Sequence, residues 1–179
     1  MNYRDFFSLH NIEYQEGLTD EEILRAEKTY SIVFPDDLRN LLQQALPVSK
    51  GFYKWRDFSE KNVKYILQVI NRPFVDVYNN ASEACWNDEW GVEPDNKYEF
   101  EKIVRTRLLT APKLIPVYAH RYIPMSSDID NPIFSIHEVD IIIYGKSLDD
   151  YLKNEFEKKR LSMDNASNIK AVPFWSEIL

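Results

Sequence analysis

Four residues in the last third of the chain carry side chains able to do chemistry at short spacing: His120, Arg121, His137 and Asp140. Two imidazoles and a carboxylate are the ligand types of a metal site, or the partners of an acid–base pair. A metal-dependent hydrolase using His120, His137 and Asp140 is therefore the enzymatic alternative. It requires the apolar runs 114–118 and 133–137 to pair so that the imidazoles meet. The plainer expectation is that both histidines end strands and face solvent, because no compact signature such as H-E-x-x-H places them on one helix face. No catalytic residue and no metal ligand is assigned. A nucleophile fares no better: there is no G-x-S-x-G elbow, and Cys85 reads as a small buried apolar residue. Four glycines in total leave no phosphate-cradling loop, and no cofactor is expected.

Charge suggests a different kind of site. The net charge of −7 over 179 residues opposes nucleic-acid binding, which depends on Lys and Arg neutralising phosphates. Acidic residues gather in two places, around Asp88 and Glu89 beside Trp90, and at Asp128 and Asp130 in a polar link. Together with Trp90 and Tyr122 as aromatic anchors, they compose a surface suited to a basic protein. The plainer reading makes the acids solvated loop residues and the aromatics core.

The elements that position these residues follow from periodicity and caps. Thr19 and Glu22 form a capping box opening a helix from Asp20 to about Ser31. Pro35 then starts a second helix, from Asp36 to about Leu46, with Leu38, Leu41, Leu42 and Ala45 along one side. Residues 51–57 read as a connection or short strand. Ser59 caps a third helix that Pro73 breaks or kinks, with a further turn or two through Val75, Val77 and Tyr78. Residues 98–110 are helical by spacing. Short strands follow at 114–118, 133–137 and 140–144, the first two joined by the polar link SSDIDN. Ser147 caps a last helix running to the basic residues Lys158, Lys159 and Arg160; residues 162–168 read as loose, and Phe174 and Trp175 pin the tail. One cysteine and no long apolar run predict a cytoplasmic protein with no membrane span. With no Pro/Gly/Ser-rich linker, residues 1–179 read as a single domain.

Residues 18–42, LTDEEILRAEKTYSIVFPDDLRNLL, with LIPVYAHRYIP at 114–124, NPIFSIHEVDIIIYG at 131–145 and PFWS at 173–176, resemble the SUKH superfamily of fungal cell-wall-assembly regulators and bacterial toxin-immunity proteins. The resemblance implies an α+β fold, helices packed against a mainly antiparallel sheet, used to bind proteins without a cofactor. The chain departs from the family between about 57 and 110, where a helical segment replaces strands and reads as an insertion. The implied function is an immunity protein that binds and neutralises a cognate toxin, often a basic nuclease domain. An intracellular regulatory or scaffold adaptor of the same family is the alternative. Oligomeric state is left open.

Overall fold

The chain folds as α+β, in a computed structural model that describes residues 1–126, 130–157 and 169–179. Among the described residues the helices are α1 (Tyr3–Leu9), α2 (Asp20–Tyr30), α3 (Asp36–Gln44), α4 (Glu60–Asn79), α5 (Lys97–Leu108) and α6 (Leu148–Phe156). Strands β1 (Tyr14–Glu16) and β2 (Ala45–Pro47) form a small antiparallel pair. Strands β3 (Leu114–Tyr118), β4 (Arg121–Pro124), β5 (Ile133–His137) and β6 (Asp140–Gly145) form a second antiparallel sheet in chain order.

The capping box is present at the start of α2. The Glu22 amide donates to Thr19 Oγ1 at 3.2 Å, and the Thr19 amide to Glu22 Oε2 at 2.9 Å. The helix buries Ile23, Ala26 and Tyr30, and α3 buries Leu38, Leu41 and Leu42. Helix α3 stops at Gln44, short of the expected Leu46, because Pro47 disfavours helical backbone at the residue before it. Ala45–Pro47 instead turns extended and pairs with Tyr14–Glu16, which sequence reading left without structure, as it did α1.

Helix α4 runs on through Pro73 to Asn79, taking in the expected further turns through Val75, Val77 and Tyr78. Proline has no N–H to give the carbonyl four residues earlier, that of Val69. The Tyr122 hydroxyl from β4 donates to this oxygen at 3.4 Å and takes the place of the missing helical bond. Burial pushes the Tyr122 phenol up to about 12, so it stays a donor throughout the physiological range. Tyr122→Phe is expected to cost about 0.5–1 kcal/mol, and less in a Pro73→Ala background where a backbone N–H can reach Val69. Urea unfolding of the four members of this cycle measures the coupling; equal costs in both backgrounds would refute the exchange.

Strand β4 is also absent from the sequence expectation. It separates the runs 114–118 and 133–137, which pair with it and not with each other. The polar link at 126–131 therefore joins β4 to β5. Adjacent residues on a strand face opposite sides. Tyr122 meets α4, whereas Arg121 reaches Glu155 of α6. With a helix on each face, β3, β4 and β5 are buried along nearly their whole length and show no alternation.

The apolar interior is one contiguous cluster that includes Trp55, Phe7, Phe34, Phe134 and Trp175. The tail is pinned as expected: Phe174 and Trp175 are buried, and Trp175 Nε1 donates to the Pro112 carbonyl at 2.8 Å. Ser147 caps α6 through the Asp150 amide. The expected basic end of that helix at Lys158, Lys159 and Arg160, and the segment 162–168, lie outside the described residues.

Candidate functional site

The antiparallel meander brings His120, His137 and Asp140 to one end of the sheet, at the two-residue turns that join β3 to β4 and β5 to β6. All three are exposed. The imidazoles come from neighbouring turns: partial burial lowers the His120 pKa, and the positive charges of Arg121 and His137 act in the same direction. Among the described residues no group of three or more His, Cys, Asp and Glu side chains converges to hold a metal. Arg121 is committed inward. Its Nη1 donates to Ser135 Oγ at 2.9 Å, its Nε lies 3.5 Å from Glu155 Oε2, and its guanidinium sits 4.0 Å from the Tyr144 ring centre. Cys85, expected inside, is exposed; Ala81 and Ala84 take the buried positions of that turn.

The aromatic anchors read from sequence are structural. Tyr122 is buried beneath α4, since its place on β4 turns it to the inner side. Trp90 is half-buried and clamps the tail: its Nε1 donates to Glu177 Oε2 at 2.8 Å and its ring stacks on Phe174 at 6.2 Å. Trp86 packs edge-on against it, and Asn87 donates to the Glu177 carbonyl. Asp88 and Glu89 stand exposed on the single 3-10 turn Asp88–Trp90 beside this clamp. Asp128 lies outside the described residues.

Asp130 gains neighbours that the sequence did not suggest. Its amide donates to Asp37 Oδ2 at 3.0 Å, joining the link before β5 to the first turn of α3. Asp149, in the first turn of α6, bears on the same group: its charge and that of Asp130 both raise the Asp37 pKa. Partial burial is the largest cause of that rise, and backbone donors from Asn131 and Asp130 offset only part of it. Asp149 accepts the Tyr3 hydroxyl at 2.8 Å and pairs with the Met1 amine at 3.2 Å. Among the described residues neither Asp37 nor Asp130 has a Lys or Arg within ion-pair distance. Among the described residues the three aspartates thus form an acidic cluster in which Asp149 pairs with the Met1 amine and Asp37 and Asp130 have no cationic side chain beside them.

Such a cluster carries a pH signature. A carboxyl whose pKa is raised by folding favours the folded state while protonated, so its contribution is full below its ordinary pKa and lost as pH rises through the raised value. Removing the charge should therefore help progressively as pH rises. Asp37→Asn is expected to gain stability relative to the parent between about pH 3 and about pH 6, across the usual carboxylate range. Thermal unfolding of both proteins across that range checks it, and a gain that shrinks with pH would contradict the electrostatic picture.

In the sequence Asp36, Asp37, Asp149 and Asp150 stand simply as acids in the first turns of α3 and α6, where they favour the positive helix ends. Nothing local indicates that the α3 and α6 starts adjoin Asp130; that is a product of the tertiary fold. Comparison with known proteins returns nothing to add: no family model, no curated protein and no solved structure matches the chain.

Proposed function

We propose that this chain is a non-enzymatic protein-binding domain, an immunity protein that binds a basic toxin domain in the cytoplasm and blocks it by contact, with no cofactor. The observation that carries this reading is the cluster of Asp37, Asp130 and Asp149, whose like charges are held together with little internal compensation. Mutual repulsion is unfavourable in the isolated protein and is relieved when a basic surface docks. The net charge of −7 adds long-range attraction for such a partner. The resemblance of residues 18–42, 114–124, 131–145 and 173–176 to toxin-immunity proteins suggests the kind of partner, a nuclease-like domain with a cationic active face. Asp88 and Glu89 belong to a separate acidic turn and take the secondary place in the interface.

Co-expression with the toxin domain encoded beside its gene tests the proposal. Growth rescue with a co-purifying complex is the expected result. Asp37→Lys combined with Asp130→Lys should weaken that complex by at least about tenfold, chiefly through slower association. A folded, abundant protein that neither rescues growth nor binds the toxin domain would overturn the reading.

A further inference from the structure

Helix α4 buries Ile66, Val69, Ile70, Pro73 and Val77 against the rest of the protein and leaves a groove of about 800 Å³ along its other side. The residues of α4 that line it fall into two neighbouring rows at i, i+4 spacing. One wall is Glu60, Lys64, Gln68, Arg72 and Asp76. The facing wall is Val63, Leu67, Asn71 and Val75, and Phe58 closes the end. Rows of this spacing are the ridges of a helix surface, and the furrow between two of them is the shape that receives a ridge of another helix, with the axes crossing at about −50°. By helical rise the furrow runs for about 24 Å, long enough to seat several turns of a partner.

We propose that this groove docks an amphipathic helix of a partner protein, one whose packing ridge carries two acids eight positions apart with an apolar residue midway. The two walls define that occupant. Val63 and Leu67 are half-buried and Val75 is 47% exposed, so one wall offers apolar area to the ridge. The other wall offers charge that the helix itself does not neutralise. Glu60 stands one turn before Lys64 and Asp76 one turn after Arg72, yet none of the four forms an ion pair among the described residues. Lys64 and Arg72 are exposed on either side of Gln68, and the acids lie beyond them at the two ends, so the middle of the groove is cationic. Arg25 adds a third cation at the closed end, its guanidinium 4.0 Å from the Phe58 ring centre. Acids at i and i+8 of an incoming ridge meet Lys64 and Arg72 together, and helix-in-groove recognition places the apolar residue between them on the floor. A second copy of this chain matches poorly. Laid in antiparallel about Gln68, its charged ridge sets Lys64 against Arg72 and Glu60 against Asp76, like against like, and its apolar ridge brings no charge at all. The groove is also apart from the cluster of Asp37, Asp130 and Asp149. Helix α4 meets the Tyr122 face of the second sheet, and α6, which carries Asp149, meets the Arg121 face.

Calorimetric titration of the full chain with two synthetic peptides tests this without any toxin, so its outcome is separate from that of growth rescue. Both peptides are alanine-rich and about eighteen residues long, enough to form a helix. One carries the ridge Leu, Glu, Leu, Glu, Leu at i, i+4 spacing, and the other has Lys in place of both Glu. The acidic peptide is expected to bind at least about tenfold more tightly than the basic one, with a preference that falls as salt rises. Lys64→Glu combined with Arg72→Glu should reverse that preference. Both positions are exposed, so circular dichroism is expected to show an unchanged fold. An acidic peptide that fails to bind at its highest soluble concentration would overturn the proposal, as would equal binding of the two peptides or a preference that survives the double reversal. So would a dimer of the chain itself that excludes the peptide, because the groove would then belong to a second copy.

Discussion

Trp55→Ala is expected to destabilise the protein by about 3–5 kcal/mol, the range for deleting a large buried aromatic. Trp55 is only 2% exposed. Its ring meets Tyr30 edge-on at 5.6 Å and Phe34 at 5.0 Å, tying the end of α2 and the link to α3 to the connection that leads into α4. The α2–α3 junction and the connection into α4, distant in sequence, therefore share one side chain, and neither can close the space alone. Total stabilities of about 5–15 kcal/mol leave little after such a loss. Urea denaturation measures it; a loss below about 1 kcal/mol would mean the ring is not packed as described.

Gly17→Ala should be nearly as damaging for the opposite reason, too much matter instead of too little. A Cβ at this position would lie 1.8 Å from the Gln43 carbonyl oxygen and 2.3 Å from its carbon. The obstacle is backbone, so no rotamer change relieves it, and the β1 to α2 junction must move away from α3. The Leu18 amide, which donates to the Leu42 carbonyl at 2.8 Å, would move with it. A cost of about 3 kcal/mol is expected, at the upper end for overpacking. Gly91→Ala is the control: nothing lies within 4 Å of its added Cβ, and only the strain of a φ of 101° remains. That strain costs about 1 kcal/mol. If both alanines cost the same in thermal unfolding, the close approach of Gly17 to α3 is wrong.

Local signals were legible where the physics is local. Thr19 with Glu22, Ser59 and Ser147 announce helix starts through side chains that meet nearby amides, and all three caps form. β3 and β5 were readable as continuous apolar runs, the pattern of strands covered on both faces. β4 was not, because Arg121 opens it and Pro124 closes it within four residues. Pro73 suggested a break or kink with a turn or two beyond it, because the donor that replaces its missing N–H comes from Tyr122, far along the chain and outside any helix-local rule. The acidic site was half visible. Asp130 stood out by composition, while Asp37 and Asp149 passed as ordinary first-turn acids of two helices. Tyr122 misled for a related reason: an aromatic near acids looks the same in sequence whether it faces a partner or the protein's own core.

The order of strands in the second sheet has a consequence for how the chain acquires its structure. β3, β4, β5 and β6 neighbour one another in the order of their appearance, so every pairing closes a short loop. Little entropy is lost before each rung forms, and the meander can assemble from its turns without waiting for distant segments. The small β1–β2 pair closes over a longer stretch, the tail clamp of Trp90 and Glu177 over one longer still, and the bond from the Tyr3 hydroxyl to Asp149 over nearly the whole chain. Loop-closure entropy therefore favours early pairing within the β3–β6 meander and late closure of the contacts made by the tail.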